Sequence, residues 1–388
     1  MQGTPGTRKR GSFDADADVT SNKKAKSAQV VRDSVFYKPG GDCKIRVEDT
    51  VFCIHRFLLE RDSATFQTMF ELPQGIEKPQ GSTDGDPIVL AGDTLEEFRA
   101  LCWALYAFPN EIVDENEDRK SLEKLANLAM IAHKYQLGAF QSWSMTAIRK
   151  KCHTPDGALE SCPSRLLPTI IRLSLRYHDD ALKSRVISAW ISRLSNATSP
   201  LPSFSPLPTS EFSDALEFAE ENSLRQFLGK LYYAKLIVAH RDLDKSVFPS
   251  VNFPFEGLDP RHMQRILRGS WSLSAYWQHL SCSKAVLPGA SCIHGLRCQA
   301  KRTASWALAE QEGPTDVLGR LKLINDSLFG VHSKKFVDSS DSDDSEFVDK
   351  QGGRLIAKFP CAKKESEILK SLITQLEGAL PDYFLGPP

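Results

Sequence analysis

Long apolar runs are missing from this chain. No stretch approaches 18 consecutive apolar residues, so no membrane-spanning helix is expected. An excess of one charge sign is missing too. Lys plus Arg and Asp plus Glu each number 49 among 388 residues, so no overall field draws the chain to nucleic acid or to a membrane. No apolar segment follows the charges at Arg8-Lys9-Arg10, and no secretory signal is expected. The nine cysteines are too few for a disulfide scaffold, are odd in number and include no Cys-x-x-Cys pair, so free thiols in a reducing, intracellular setting are expected. The phosphate-binding P-loop, His-Glu-x-x-His and Gly-x-Ser-x-Gly patterns are absent. His240-Arg241-Asp242-Leu243 matches the start of a kinase catalytic loop. However, Val247 stands where that loop needs a metal-binding Asn, and no Gly-rich phosphate loop precedes it. No catalytic, cofactor-binding or metal-binding residue is therefore assigned, no cofactor is expected, and the chain is expected not to be an enzyme.

What is present is ordinary globular composition, 41% hydrophobic and 25% charged, which excludes collagen-like and wholly disordered classes. Residues 1–34 read as a disordered tail carrying two basic clusters, Arg8-Lys9-Arg10 and Lys23-Lys24-Ala25-Lys26. The 12 residues between them suit a two-part nuclear import signal, so the nucleus, the cytoplasm or both are the expected locations. Residues 35–155 read as a compact mixed domain. Cys43 to Val47 alternates apolar and polar as a half-buried strand does, and Val51 to Ile54 pairs with it. Arg56 to Glu71 is helical, with Asp62 placed to cap the piece that starts at Ser63. Ile88 to Leu90 is a third strand. Asp93 and Glu96 form a capping box for the helix that follows, an acidic loop covers Asp114 to Asp118, and Gly138 caps the helix containing Leu122 and Leu125. Residues 160–335 read as a helical region with a Pro-rich linker at 199–210, 336–352 as an acidic Ser-rich loop, and 353–388 as a C-terminal helix and tail. The expected class is α+β, a small sheet with surrounding helices followed by a mostly helical C-terminal region.

Several residues at fixed offsets point further: Asp42, Ile45 to Val47, Phe52, His55-Arg56-Phe57-Leu58-Leu59, Ser63, Phe66 and Met69-Phe70. Downstream, Ile88-Val89-Leu90, Phe98, Leu105-Tyr106 and Lys134-Tyr135 continue the pattern. Over residues 35–155 the chain resembles a BTB/POZ domain, in the arrangement of the BTB proteins abundant in mushroom-forming fungi. The Pro/Gly-rich loop at 73–87 departs from compact members. The resemblance implies a homodimer and protein partners, with work as an adaptor for a cullin-type ubiquitin ligase or as the oligomerisation unit of a nuclear regulatory scaffold. Direct nucleic-acid binding is not expected, since no reading helix or basic folded face is evident.

Three places invite a chemical reading. His55 stands at a strand–helix junction, where an imidazole bonded to backbone is the plainer account, and Asp42 before a strand is expected to anchor a turn. Cys282, Cys292, His294 and Cys298, with His279, gather zinc-type donors within 20 residues at irregular spacing. The alternative function is thus a zinc-binding protein or enzyme centred on 279–298, against thiols around a loop beside core aromatics Trp271, Tyr276 and Trp277.

Overall fold

The computed structural model describes residues 30–72, 79–117, 121–154, 158–196, 209–244, 255, 257–282, 295–310, 315–328 and 360–387. The basic clusters, residues 199–208 of the Pro-rich linker expected at 199–210, and the acidic Ser-rich stretch lie outside them, while Thr209 and Ser210 of that linker are helical. The fold is α+β, with one four-stranded sheet and a majority of helix. Two compact units divide the described residues. The first takes those up to Glu115 together with Asn127–Ser144, and the second takes Asn116–Ala126 and those from Met145 onward.

In the first unit, β2 (Cys43–Val47) and β3 (Thr50–Ile54) form the expected antiparallel hairpin. Glu48 turns its corner in the left-handed region, at φ 51°. β4 (Ile88–Leu90) adds to β2 in parallel. A fourth strand, β1 (Val31–Tyr37), lies parallel to β3 and begins inside the stretch expected as tail. The order is β1-β3-β2-β4. β1 escapes a reading by alternation because its one fully buried side chain is Asp33, not an apolar residue. That carboxylate accepts from the Val35 and Phe36 amides and pairs with Arg99 at 2.9 Å. Burial alone would push its pKa up, but those two amides and the guanidinium outweigh burial and hold it below the ordinary value.

Helices α1 (Arg56–Glu60) and α2 (Ala64–Glu71) lie between β3 and β4, and α3 (Leu95–Tyr106), α4 (Pro109–Glu117), α5 (Leu122–Lys134) and α6 (Gly138–His153) follow β4. Within the first unit, Phe52, Ile54, Leu59, Phe66, Phe98, Leu101 and Ile131 share one core. Four local expectations shift. Thr94, not Asp93, caps α3, and its partner in the box is Glu97. Ser63, not Asp62, caps α2, and Asp62 instead accepts from the Ala139 amide at the start of α6. The acidic loop at 114–118 is helical through Glu117, as α4. The left-handed residue after α5 is Gln136 at φ 55°, while Gly138 opens α6; the Leu137 amide closes the turn on the Ala132 carbonyl.

The second unit is helical: α7 (Ala158–Ser161), α8 (Leu166–Arg176), α9 (Asp180–Asn196), α10 (Thr209–Glu221), α11 (Arg225–Asp244), α12 (Pro260–Cys282), α13 (Gly295–Glu310), α14 (Val317–Leu328) and α15 (Pro360–Leu385). Leu166, Leu167, Ile170 and Ile171 of α8 and Leu182, Val186, Trp190 and Leu194 of α9 form buried apolar stripes. α15 takes up most of the stretch expected as a C-terminal helix and tail, and it packs on α11, α12 and α14. Two glycines permit that close approach. A Cβ at Gly269 would fall 2.0 Å from the Phe384 ring, and one at Gly229 would fall 2.7 Å from the Pro381 nitrogen. Pro381, whose ring nitrogen carries no proton to bond within the helix, therefore lies flat against α11.

Asp93 gives up its expected capping role for a buried one. It accepts from Lys134 Nζ at 2.7 Å and from the Tyr135 hydroxyl at 2.5 Å. Asp93→Ala leaves the tyrosine hydroxyl without its partner and is expected to cost about 2 kcal/mol of stability, lowering the midpoint of thermal unfolding. A change below about 0.5 kcal/mol would mean that the pair contributes little.

Candidate interaction surfaces

The residues that sequence singled out for chemistry are mostly committed to structure. Asp42 accepts from the Arg56 amide at 2.7 Å, holding the first turn of α1. The His55 amide and Nδ1 both meet the Tyr106 hydroxyl, at 3.0 and 2.8 Å. The imidazole is thus half-buried at the strand–helix junction as expected, but its partner is a side chain of α3 rather than backbone. Cys43 is buried, and desolvation pushes its thiol up to about 12. Cys102 is buried as well, and desolvation raises it well above the ordinary thiol value. A nucleophile or zinc ligand must be a thiolate, and these two are held as thiols.

The segment 279–298 is only partly within reach. Cys292 and His294 lie outside the described residues, while Cys282 ends α12 and Cys298 sits in the first turn of α13. Among the described residues no group of three or more His, Cys, Asp or Glu is gathered to hold a metal ion. The neighbouring aromatics divide. Trp277 is buried and stacks on Trp306 with ring centres 5.5 Å apart, as a core residue should. Trp271 is 79% exposed, contrary to the expected core packing, because it falls on the face of α12 opposite Leu273 and Trp277.

The first unit leaves several apolar groups in water, and two places among them offer a surface to a partner. β1 pairs only with β3, so its other edge is open among the described residues, and Val31 and Val35 are 58% and 59% exposed along it. Phe57, on α1, is 61% exposed, whereas its neighbours Leu58 and Leu59 are buried. The second place is a cleft of about 180 Å³ between α3, α4 and α6, lined by Trp103, Ile112, Phe140 and Trp143. The two indoles tilt toward each other with ring centres 6.1 Å apart. Phe108, in the turn from α3 to α4, is 70% exposed. Sequence reasoning missed this cleft. Its residues are scattered over 40 positions, and no local pattern joins Trp103 of α3 to Trp143 of α6. An unpaired strand edge and an apolar hollow both suit protein partners. The edge offers backbone donors and acceptors, and the hollow offers a socket for an apolar side chain.

The second unit buries a polar cluster where α10, α11 and α12 meet. Arg265 donates to the Tyr232 hydroxyl at 3.1 Å, and that hydroxyl shares a hydrogen bond of 2.7 Å with His262 Nδ1. His262 Nε2 faces Glu220, whose Oε2 is 4.0 Å away. Arg265 also pairs with Glu220. Desolvation lowers the His262 pKa; Arg265 and Arg261 add to this, and the attraction of Glu220 and Asp259 is not enough to reverse it.

Comparison with known proteins yields no match among protein-family models, curated proteins or solved structures. No helix among the described residues is long and apolar enough to cross a membrane.

The histidine cluster carries a pH signature. A folded-state pKa below the unfolded value near 6.5 means that the unfolded chain binds the proton first. The stability supplied by neutral His262 is complete above about pH 6.5 and is lost as pH falls from there toward the lower folded value. The second unit's stability to heat should therefore fall as pH is lowered from about 7 to about 5, and His262→Gln should flatten that slope. An equal slope in the variant would assign the pH dependence to other groups.

Proposed function

We propose that this chain is a non-enzymatic protein–protein interaction and oligomerisation protein whose first unit is a BTB/POZ-like domain. Supporting this reading, the residues that carry the resemblance occur in the order hairpin, two short helices, third strand, long helix. They also meet in one core, where Ser63 Oγ donates to the Tyr135 carbonyl at 2.5 Å and Phe66 stacks on the Tyr135 ring. The observation that carries the functional half is the exposed apolar surface of that unit. It has an open strand edge bearing Val31 and Val35, and a separate cleft between Trp103 and Trp143. Two distinct apolar surfaces suit a protein that pairs with its own copy through one and holds a partner through the other. The nuclear side of the reading rests on the basic clusters at Arg8 to Arg10 and Lys23 to Lys26, with the cytoplasm as the other location.

Homodimerisation through the β1 edge is tested by light scattering on the full chain at tens of micromolar. The expected mass is twice 43.3 kDa, as for an interface burying on the order of 2,000 Å². Val31→Lys with Val35→Lys places like charges along the shared edge and should return the chain to monomer. A wild-type monomer refutes the dimer, and a dimeric double variant moves the interface off β1.

The cleft is tested separately, by affinity capture from cell extract with the wild-type chain and with Trp143→Ala. Co-enrichment of cullin-type ligase subunits by the wild type, lost in the variant, is the outcome expected of an adaptor. Capture of nuclear regulatory proteins without ligase subunits favours the scaffold role.

A further inference from the structure

The second unit leaves two large apolar side chains exposed among the described residues, and they are neighbours. Leu267 and Trp271 are 48% and 79% exposed and stand one turn apart on α12. Arg268, also exposed, lies between them. α12 carries three arginines, two histidines and no Asp or Glu. Two of the arginines are answered from outside the helix, Arg261 by Asp259 and Arg265 by Glu220. Asp382 of α15 is taken by Arg225. Arg268 makes no ion pair or hydrogen bond among the described residues, so this face is apolar with one unanswered cation.

Such a face suits an occupant that sets an apolar side chain beside a carboxylate. One stretch of this chain has that composition. Residues 329–359 join α14 to α15 and lie outside the described residues. Within them, 338–349 holds six Asp or Glu and no Lys or Arg, with the apolar pair Phe347-Val348 set between Glu346 and Asp349. The stretches 197–208, 245–254 and 283–294, also outside the described residues, hold no acidic residue.

Chain length permits the contact. Ser366, near the start of α15, donates to Asn325, near the end of α14, at 2.7 Å, so the two ends that residues 329–359 join lie at one end of that helix pair. Phe384 packs at Gly269, two positions before Trp271, and stands 24 positions after Pro360, about 36 Å at the helical rise. Phe347 is 13 residues from Pro360 and 19 from Leu328, extended spans of about 43 and 63 Å.

We propose that residues 338–349 dock on this face of α12, with Phe347 and Val348 on Leu267 and Trp271 and with Glu346 or Asp349 beside Arg268. A second copy or a separate protein would have to displace a segment held in the same chain at about a millimolar effective concentration. At that concentration a dissociation constant on the order of 0.1 mM for the free segment keeps about nine-tenths of the face covered.

The probe is a synthetic peptide of residues 338–349, titrated by calorimetry into two forms of the full chain. One is unaltered, and the other has 338–349 replaced by a Gly-Ser stretch of equal length. Saturable binding is expected in the replaced form, and binding about tenfold weaker in the unaltered one, whose own segment competes. In the replaced form, Trp271→Ala and Arg268→Glu, both at exposed positions, should each weaken binding about tenfold, with circular dichroism confirming the fold. Phe347→Ser in the peptide should do the same. The proposal is overturned if the replaced form does not bind the peptide, if the unaltered chain binds it equally well, or if the folded Trp271→Ala variant binds it as before. Absence of peptide binding, together with a mass that falls on Trp271→Ala, overturns it in favour of a second copy on this face.

Discussion

The first unit depends on the fixing of one residue, Tyr135, at the end of α5. Its carbonyl accepts from Ser63, its hydroxyl donates to buried Asp93, and its ring stacks on Phe66 with centres 4.5 Å apart. Around it Lys134 holds Asp93 and the Ala91 carbonyl, Leu137 bridges to Ser63, and Asp62 caps the start of α6. The start of α2, the loop before α3, the end of α5 and the start of α6 thus converge within a few ångströms. Ser63, Asp93 and Tyr135 are buried there, and each has a partner, so the cost of desolvating them is met locally. Because ordering one residue orders four element ends, the helices stand at defined places around the sheet. The hollow between Trp103 and Trp143 keeps its shape for the same reason.

The sheet obeys a related constraint at its edge. β1 is joined through β3 on one side only, and its inward anchor is a carboxylate rather than an apolar side chain. That anchor is rigid because two amides and Arg99 converge on Asp33. It leaves the valines of the strand with no core to enter. Asp33 takes the Val35 and Phe36 amides, and the backbone groups of the strand that stay unpaired lie along its open edge, beside the exposed valines. This is the physical content of the proposal that the edge is a pairing surface.

The second unit is organised by the closeness of its helices. Gly269 and Gly229 let α15 approach α12 and α11 until Phe384 and Pro381 occupy the space that side chains would fill elsewhere. At Ser192, Ala234 and Gly319 small residues have the opposite outcome, since no large side chain enters and a cleft remains. Small residues therefore both seal the bundle and open it, depending on whether a neighbouring element supplies a ring. The buried Tyr232–His262 pair lies on the sealed side, under Phe384.

The hairpin, the third strand, the long helices and the α+β class were legible in the sequence, because alternation and helical periodicity are local properties that a buried face imposes on each segment separately. Ser63, Phe66 and Tyr135 were legible as members of a pattern, though not as a single junction. The strand β1 was hidden because its one buried side chain is charged, and its partner Arg99 lies 66 positions away. The caps of α2 and α3 each fell one residue from the expected position. Asp62 and Asp93 have the right chemistry to cap, but tertiary partners take them, the Ala139 amide for one and Lys134 with Tyr135 for the other. The hollow at Trp103 and the cleft beside Lys230 were beyond any local reading. What the sequence by itself determined was which segments become strands and helices. Which apolar and charged groups stay at the surface was decided only in the folded chain, because exposure depends on what a distant segment covers.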